Sequence, residues 1–181
     1  MSQAQELQAQ GVKLFHQQDY EDASRVFHEA LDAYESEGQN DMVAEMQVNI
    51  GLVHRSLGEN QQALDVMQEA LHTFQDMQDT RRSAMVLGNI GGVYAVLGDK
   101  EQAYNCYRQA ADIFEEIGEK KLYGETLIAM GDLQVRDGKI MRGAATYEVG
   151  LENLDELSAG QKVIRGLLGV RNKLMGGGGP I

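Results

Sequence analysis

The sequence predicts an all-α protein built from stacked helix-turn-helix repeats, and three observations carry that prediction. Glycine recurs every 40 residues, at Gly11, Gly51, Gly91 and Gly131. At 12, 16 and 19 positions after each glycine stand a small, a large and a small residue. These are Ala23, Phe27 and Ala30; Ala63, Met67 and Ala70; Ala103, Tyr107 and Ala110; and Gly143, Tyr147 and Gly150. The only proline among 181 residues is Pro180, so residues 1–179 hold no proline to break a helix. No run of alternating β-branched residues bounded by turns signals a strand. Self-similarity at such a period marks a solenoid, in which each repeat packs on its neighbours.

Helices are expected near 3–17, 20–37, 41–57, 60–77, 81–97, 100–117, 121–137 and 140–156, two per repeat. In the second repeat Val43, Met46, Ile50, Val53 and Leu57 fall at three- and four-residue steps over 42–57. Ala63, Leu64, Met67, Leu71 and Phe74 do the same over 61–77. Each set forms one apolar stripe on its helix. Between the two helices lies Leu57-Gly58-Glu59-Asn60, copied later as Leu97-Gly98-Asp99-Lys100 and Asp137-Gly138-Lys139-Ile140. Glycine just past a helix end takes the left-handed cap at little cost. The first repeat has Gln18-Asp19-Tyr20 there, a weaker stop. Between repeats, Gly38 and Gly118 stand as caps. Met77-Gln78-Asp79-Thr80 has no glycine, but Asp79 or Thr80 can N-cap the next helix.

The small residues let helices approach closely. In the fourth repeat both helix-B alanines become glycine, which costs about 1 kcal/mol each in a helix interior, so that repeat is expected to be the loosest. A ninth helix is expected over 159–175, with Val163, Leu167, Val170 and Leu174 at steps of 4, 3 and 4. It either caps the solenoid or docks on another chain. Residues 176–181 read as a flexible tail. The expected organisation is one domain over 1–175, with repeats at about 3–40, 41–80, 81–120 and 121–157.

Sixteen Lys and Arg against 28 Asp and Glu give a formal charge of -12, which argues against nucleic acid as a partner. The charge is uneven. Lys162, Arg165, Arg171 and Lys173 give +4 after residue 157 with no acid among them, so residues 1–157 carry 12 - 28 = -16. One cysteine, Cys106, makes no internal disulfide, and it lacks the basic neighbours that would activate a nucleophile. The four histidines show no metal-ligand spacing, and no cofactor motif is present. No stretch reaches the roughly 18 apolar residues of a membrane helix, and the polar N-terminus lacks a signal core. A cytoplasmic protein is expected.

The third repeat, Leu87-Gly88-Asn89-Ile90-Gly91-Gly92-Val93-Tyr94 followed by Ala103, Tyr107 and Ala110, resembles the tetratricopeptide repeat family. Four copies and the closing helix cover residues 3–175. The resemblance implies a right-handed α-solenoid of four tetratricopeptide repeats plus a C-terminal capping helix. Two departures stand out: a period of 40 rather than about 34, and no proline ending helix B. Long proline-free repeats with Asn two places before the glycine are similar to Leu-Gly-Asn-repeat adaptors, kinesin light chains and Rap-type regulators. That similarity implies a concave peptide- or protein-binding surface lined by helix A.

By register, Asn49 and Asn89 then face the groove, where each amide offers both donor and acceptor to a peptide backbone; the alternative is a bond to a neighbouring helix. Glu45, Leu52 and Arg55 in the second repeat, Met85 and Gly92 in the third, and Glu125, Asp132 and Arg136 in the fourth complete the expected wall. Val48, Gly88 and Ile128 stand where chaperone-binding members carry a lysine clamp, so a chaperone-tail receptor is disfavoured. The expected function is a non-catalytic adaptor or assembly scaffold. Its partner would be a protein or peptide carrying some basic residues, with neither nucleic acid nor membrane involved. The alternatives are a peptide-sensing regulator and a scaffold that self-associates through the basic C-terminal helix.

Overall fold

The computed structural model describes residues 2–175, with side chains described as far as residue 169. The tail expected at 176–181 lies outside the described residues. The described chain forms nine α-helices and no strand: α1 Gln3–His16, α2 Tyr20–Ser36, α3 Asn40–Leu57, α4 Asn60–Asp76, α5 Thr80–Leu97, α6 Lys100–Glu116, α7 Lys120–Arg136, α8 Ile140–Glu152 and α9 Ala159–Met175. The fold is all-α, with helices packed in consecutive pairs as in an α-solenoid. Two compact units, Met1–Cys106 and Tyr107–Ile181, divide within α6.

Helix ends follow the glycines where these exist. Gly58 and Gly98 close α3 and α5 in the left-handed conformation, at φ 81° and 82°. Where glycine is missing, Gln18 and Gln78 take positive φ instead, at 65° and 57°. The backbone thus repeats the same turn and accepts strain where the sequence does not relieve it. Asp79 N-caps α5, its Oδ1 accepting from the Arg82 amide at 2.9 Å. Ser2 caps α1 and Ser158 caps α9, each in a reciprocal box with a glutamine three residues on; a box also works with glutamine. The eighth helix ends at Glu152, short of the expected 156. Asn153 explains the early stop, because its Nδ2 donates to the Val149 carbonyl at 2.8 Å and competes for a helix acceptor.

In the first unit α1 packs on α2, α2 on α3, α3 on α4 and α4 on α5. One core joins Ala4, Ala23, Phe27, Ala30, Tyr34, Met46, Ile50 and Val53. A second joins Ala44, Ala63, Leu64, Met67, Ala70, Phe74, Val86, Ile90, Val93 and Cys106. The recurring glycine receives the large residue 16 positions on. A Cβ on Gly11 would lie 2.6 Å from the Phe27 ring, and one on Gly51 2.6 Å from Met67 Cγ.

In the second unit α7 packs on α8 at close range. A Cβ on Gly124 would meet the Gly150 carbonyl oxygen at 2.6 Å, and one on Gly143 the Gly131 carbonyl oxygen at 2.8 Å. Glycine on both sides brings the two backbones into contact, which sets added packing against the lost helix propensity. Within that interface Thr146 Oγ1 donates to Gln134 Oε1 at 2.8 Å. The α9 helix rests near α8 with Leu168 buried, while Val163 and Leu167 remain 64% and 66% exposed.

Two glycine substitutions are expected to act with opposite sign. Gly150→Ala drives a methyl into backbone and lowers unfolding free energy by about 1–3 kcal/mol. Gly88→Ala, with nothing within 4 Å of the new carbon, raises it by up to about 1 kcal/mol. Urea unfolding measures both, and equal effects would show that close approach does not explain the fourth-repeat glycines.

Candidate functional site

Helices α3 and α5 are the first helices of successive repeats, and they touch at their facing sides. Between them opens a groove of about 360 Å³, lined by Glu45, Val48, Asn49 and Leu52 from α3 and by Arg81, Arg82, Met85, Val86 and Asn89 from α5, with Phe74 of α4 beneath. Heptad-like spacing explains the pattern. Ile50 and Val53 on α3, and Ile90 and Val93 on α5, face the cores, which turns the residues beside them to the open side.

Asn49 and Asn89 are each half-buried, and neither side chain makes a hydrogen bond among the described residues. Their neighbours are held. Tyr34 OH donates to Gln8 Oε1 at 2.6 Å, and Gln8 Nε2 donates to Glu45 Oε1 at 2.8 Å. The chain of bonds ties α2, α1 and α3 together and occupies one oxygen of Glu45. Burial raises the Tyr34 phenol above its ordinary value, and the carboxylates of Glu45, Glu37 and Asp41 add to the shift, so it stays a donor.

Arg82 fixes the opposite wall. Its Nε lies 2.6 Å from Asp79 Oδ2, its Nη1 3.3 Å from Asp41 Oδ2, and its guanidinium 4.6 Å over the Phe74 ring. Burial opposes ionisation of Asp79, but the hydrogen bonds and charge of Arg82 outweigh it and hold the carboxyl below the ordinary aspartate value. Arg81 lies one residue earlier, its Nη1 3.6 Å from Met85 Sδ. Both arginines sit in the first turn of α5, where Asp79 and Asp41 offset the charge of Arg82.

Five of the expected wall residues therefore share one groove: Glu45, Asn49, Leu52, Met85 and Asn89. Arg55 and Gly92 lie on the same two helices but outside its lining, Arg55 in the exposed last turn of α3. The fourth-repeat residues belong to the second unit. Glu125 lines a separate recess of about 500 Å³ with Lys121, Leu154, Asp155, Glu156 and Gln161. Asp132 and Arg136, a turn apart on α7, line neither recess. Exclusion of water raises the Asp132 carboxyl against the opposing pull of Arg136. Sequence reasoning missed Phe74, Arg81, Arg82 and Val86 as groove residues. The available signal was the Arg81-Arg82 pair two and three residues after the Asp79 cap.

Cys106 is buried in the first unit's core and burial pushes its thiol up, away from the reactive thiolate. Among the described residues no group of three or more His, Cys, Asp and Glu side chains is placed to hold a metal ion. No described helix is long and apolar enough to cross a membrane.

Stacked helix pairs with an open groove along their first helices define an α-helical repeat protein. The chain belongs to the soluble NSF attachment protein (SNAP) family, whose pattern matches residues 1–156, ending before α9. No curated protein sequence matches it. Among the solved structures that share the fold are the following three. BtubC (BKLC) from P. vanneervenii is similar at 15% identity and TM-score 0.75, over 95% of this chain and 72% of that one. The apo form of the quorum sensor NprR from B. thuringiensis is similar at 17% identity and TM-score 0.69, over 92% of this chain and 48% of NprR. A tetratricopeptide repeat protein from Parabacteroides merdae is similar at 21% identity and TM-score 0.58, over 96% and 60%. The chain thus spans about half of NprR. The tetratricopeptide resemblance holds at the level of fold, while the family matched is the attachment-protein family.

Arg82→Met is expected to lower unfolding free energy at neutral pH by about 1–3 kcal/mol, the scale of hydrogen bonds to a charged group. The sign with pH follows from Asp79. A carboxyl lowered in the folded state stabilises above the ordinary carboxylate range, and the contribution is lost as pH falls through the folded value. Removing Arg82 flattens that acid limb. Urea midpoints measured from about pH 6 to pH 2 test this, and an unchanged limb would remove Arg82 as the cause.

Proposed function

We propose that this chain is a non-catalytic protein-interaction module, an adaptor or assembly scaffold, that holds an extended peptide or a helix in the α3–α5 groove. The observation that carries the reading is the pair Asn49 and Asn89. Two half-buried carboxamides, one repeat apart, stand in one groove with their hydrogen-bonding capacity unused. Extended backbone presents N–H and C=O groups in alternation, and an asparagine satisfies both. Leu52, Val48 and Met85 offer an apolar surface to side chains between those contacts.

The charge of the groove adjusts the expected partner. One Glu45 oxygen is taken by Gln8 and Arg82 is taken by Asp79 and Asp41, so charge selects only weakly in this groove. A partner with basic residues suits Glu125 and Asp132 in the second unit. The family name, an attachment protein for NSF, supports a role in joining proteins. The likeness to a quorum sensor is one of fold at 17% identity, so a binding scaffold is preferred over a peptide sensor. A cytoplasmic setting accords with Cys106 as a reduced, buried thiol.

The test is affinity capture with wild type and with Asn49→Ala/Asn89→Ala. The double variant is expected to keep its thermal midpoint and to lose at least tenfold in partner recovery, about 1.4 kcal/mol or more. Equal recovery by both proteins would take the groove out of the account.

A further inference from the structure

The outer face of the second helix in each repeat is polar three times and apolar once. At positions 21, 25 and 29 stand Glu, Arg and Glu; at 61, 65 and 69 stand Gln, Asp and Glu; at 101, 105 and 109 stand Glu, Asn and Gln. The equivalent positions of α8 are Met141, Ala145 and Val149. They are four residues apart and so form one stripe. All three are exposed, Met141 at 55% and Val149 at 42%. The packing of α7 on α8 through Gly143 and Gly150 does not use this face.

A second unpartnered stripe lies on α9. Leu168 is buried, but Val163 and Leu167 project elsewhere, since adjacent residues differ by about 100° around a helix. The flanking charges are complementary. Lys162 and Arg165 accompany the α9 stripe, while Glu152, Asp155 and Glu156 follow the α8 stripe, and among the described residues none of these five forms an ion pair. Both halves of a matching pair therefore sit on one chain.

We propose that this face is a homodimer interface, with α9 of each copy laid on the α8 stripe of the other. Val163 and Leu167 cover the partner subunit's Met141 and the partner subunit's Val149, and Lys162 and Arg165 meet the acids at and just beyond the end of the same helix. A twofold arrangement makes the contact twice. A second copy is preferred to another protein because the apolar-basic and apolar-acidic surfaces are complementary to each other. It is preferred to an intrachain fold because Leu168 already commits the other side of α9. The acidic body and basic helix also steer the encounter. This surface is separate from the α3–α5 groove and its assignment does not rest on that groove.

The experiment is light scattering on the full chain after gel filtration, at a high micromolar concentration. Wild type is expected at twice the chain mass, weakening as salt rises from about 0.05 M to about 0.5 M. Met141→Gln/Val149→Glu restores the polarity of the other repeats on exposed positions and is expected to raise the dimer dissociation constant at least about tenfold. Lys162→Glu/Arg165→Glu and Glu152→Lys/Asp155→Lys/Glu156→Lys are each expected to be monomeric alone and to form a mixed dimer on mixing. A wild-type monomer at low salt, or a dimer that survives Met141→Gln/Val149→Glu, would overturn the proposal. So would failure of the two charge-reversed chains to pair, provided circular dichroism shows both folded.

Discussion

Close approach between the two helices of a repeat is the constraint on which the rest depends. Where Gly11 and Gly51 stand, the space a Cβ would take is filled by Phe27 and Met67, so the large side chain seats directly on the helix opposite. That seating sets the separation of the pair, buries the alanines on either side of the large residue, and orients both apolar stripes. The fourth repeat carries the same principle further. There Gly124 faces Gly150 and Gly131 faces Gly143, and backbone meets backbone. Helix propensity counts the entropy lost at glycine and omits the dispersion contacts that only glycine admits.

Once each helix pair is fixed, the first helices of neighbouring repeats leave a groove. Its walls are braced from behind. The Tyr34–Gln8–Glu45 bonds and the Arg82 contacts to Asp79, Asp41 and Phe74 hold groove-lining side chains in one arrangement. Such preorganisation lowers the entropy lost on binding. It also separates two kinds of polar residue that look alike in a list: those that build the wall and those whose hydrogen-bonding capacity is unused.

The chain's charge is distributed to match. The acidic repeats and the basic stretch after residue 157 are segments of opposite sign on one polypeptide. The family match stops at residue 156, so α9 stands outside the pattern shared with the attachment proteins. Its exposed apolar stripe and the apolar outer face of α8 occur in the same unit.

Helix number, type and most boundaries were legible in the sequence, because a period of 40 residues with small and large residues at set offsets is a local code for packing. The shared position of Asn49 and Asn89 was legible too, since one period separates them. The end of α8 was not, because Asn153 stops it through a side-chain bond that composition does not reveal. Nor was the state of the charged residues. Gln8 with Glu45 and Arg82 with Asp41 pair across 37 and 41 positions, three short of the period and one beyond it. The sequence by itself determined the stack of helices, which short-range spacing encodes. Only the tertiary structure decided which polar groups hold the wall and which stay unbonded in the groove, because hydrogen bonds between helices depend on distances that no local spacing records.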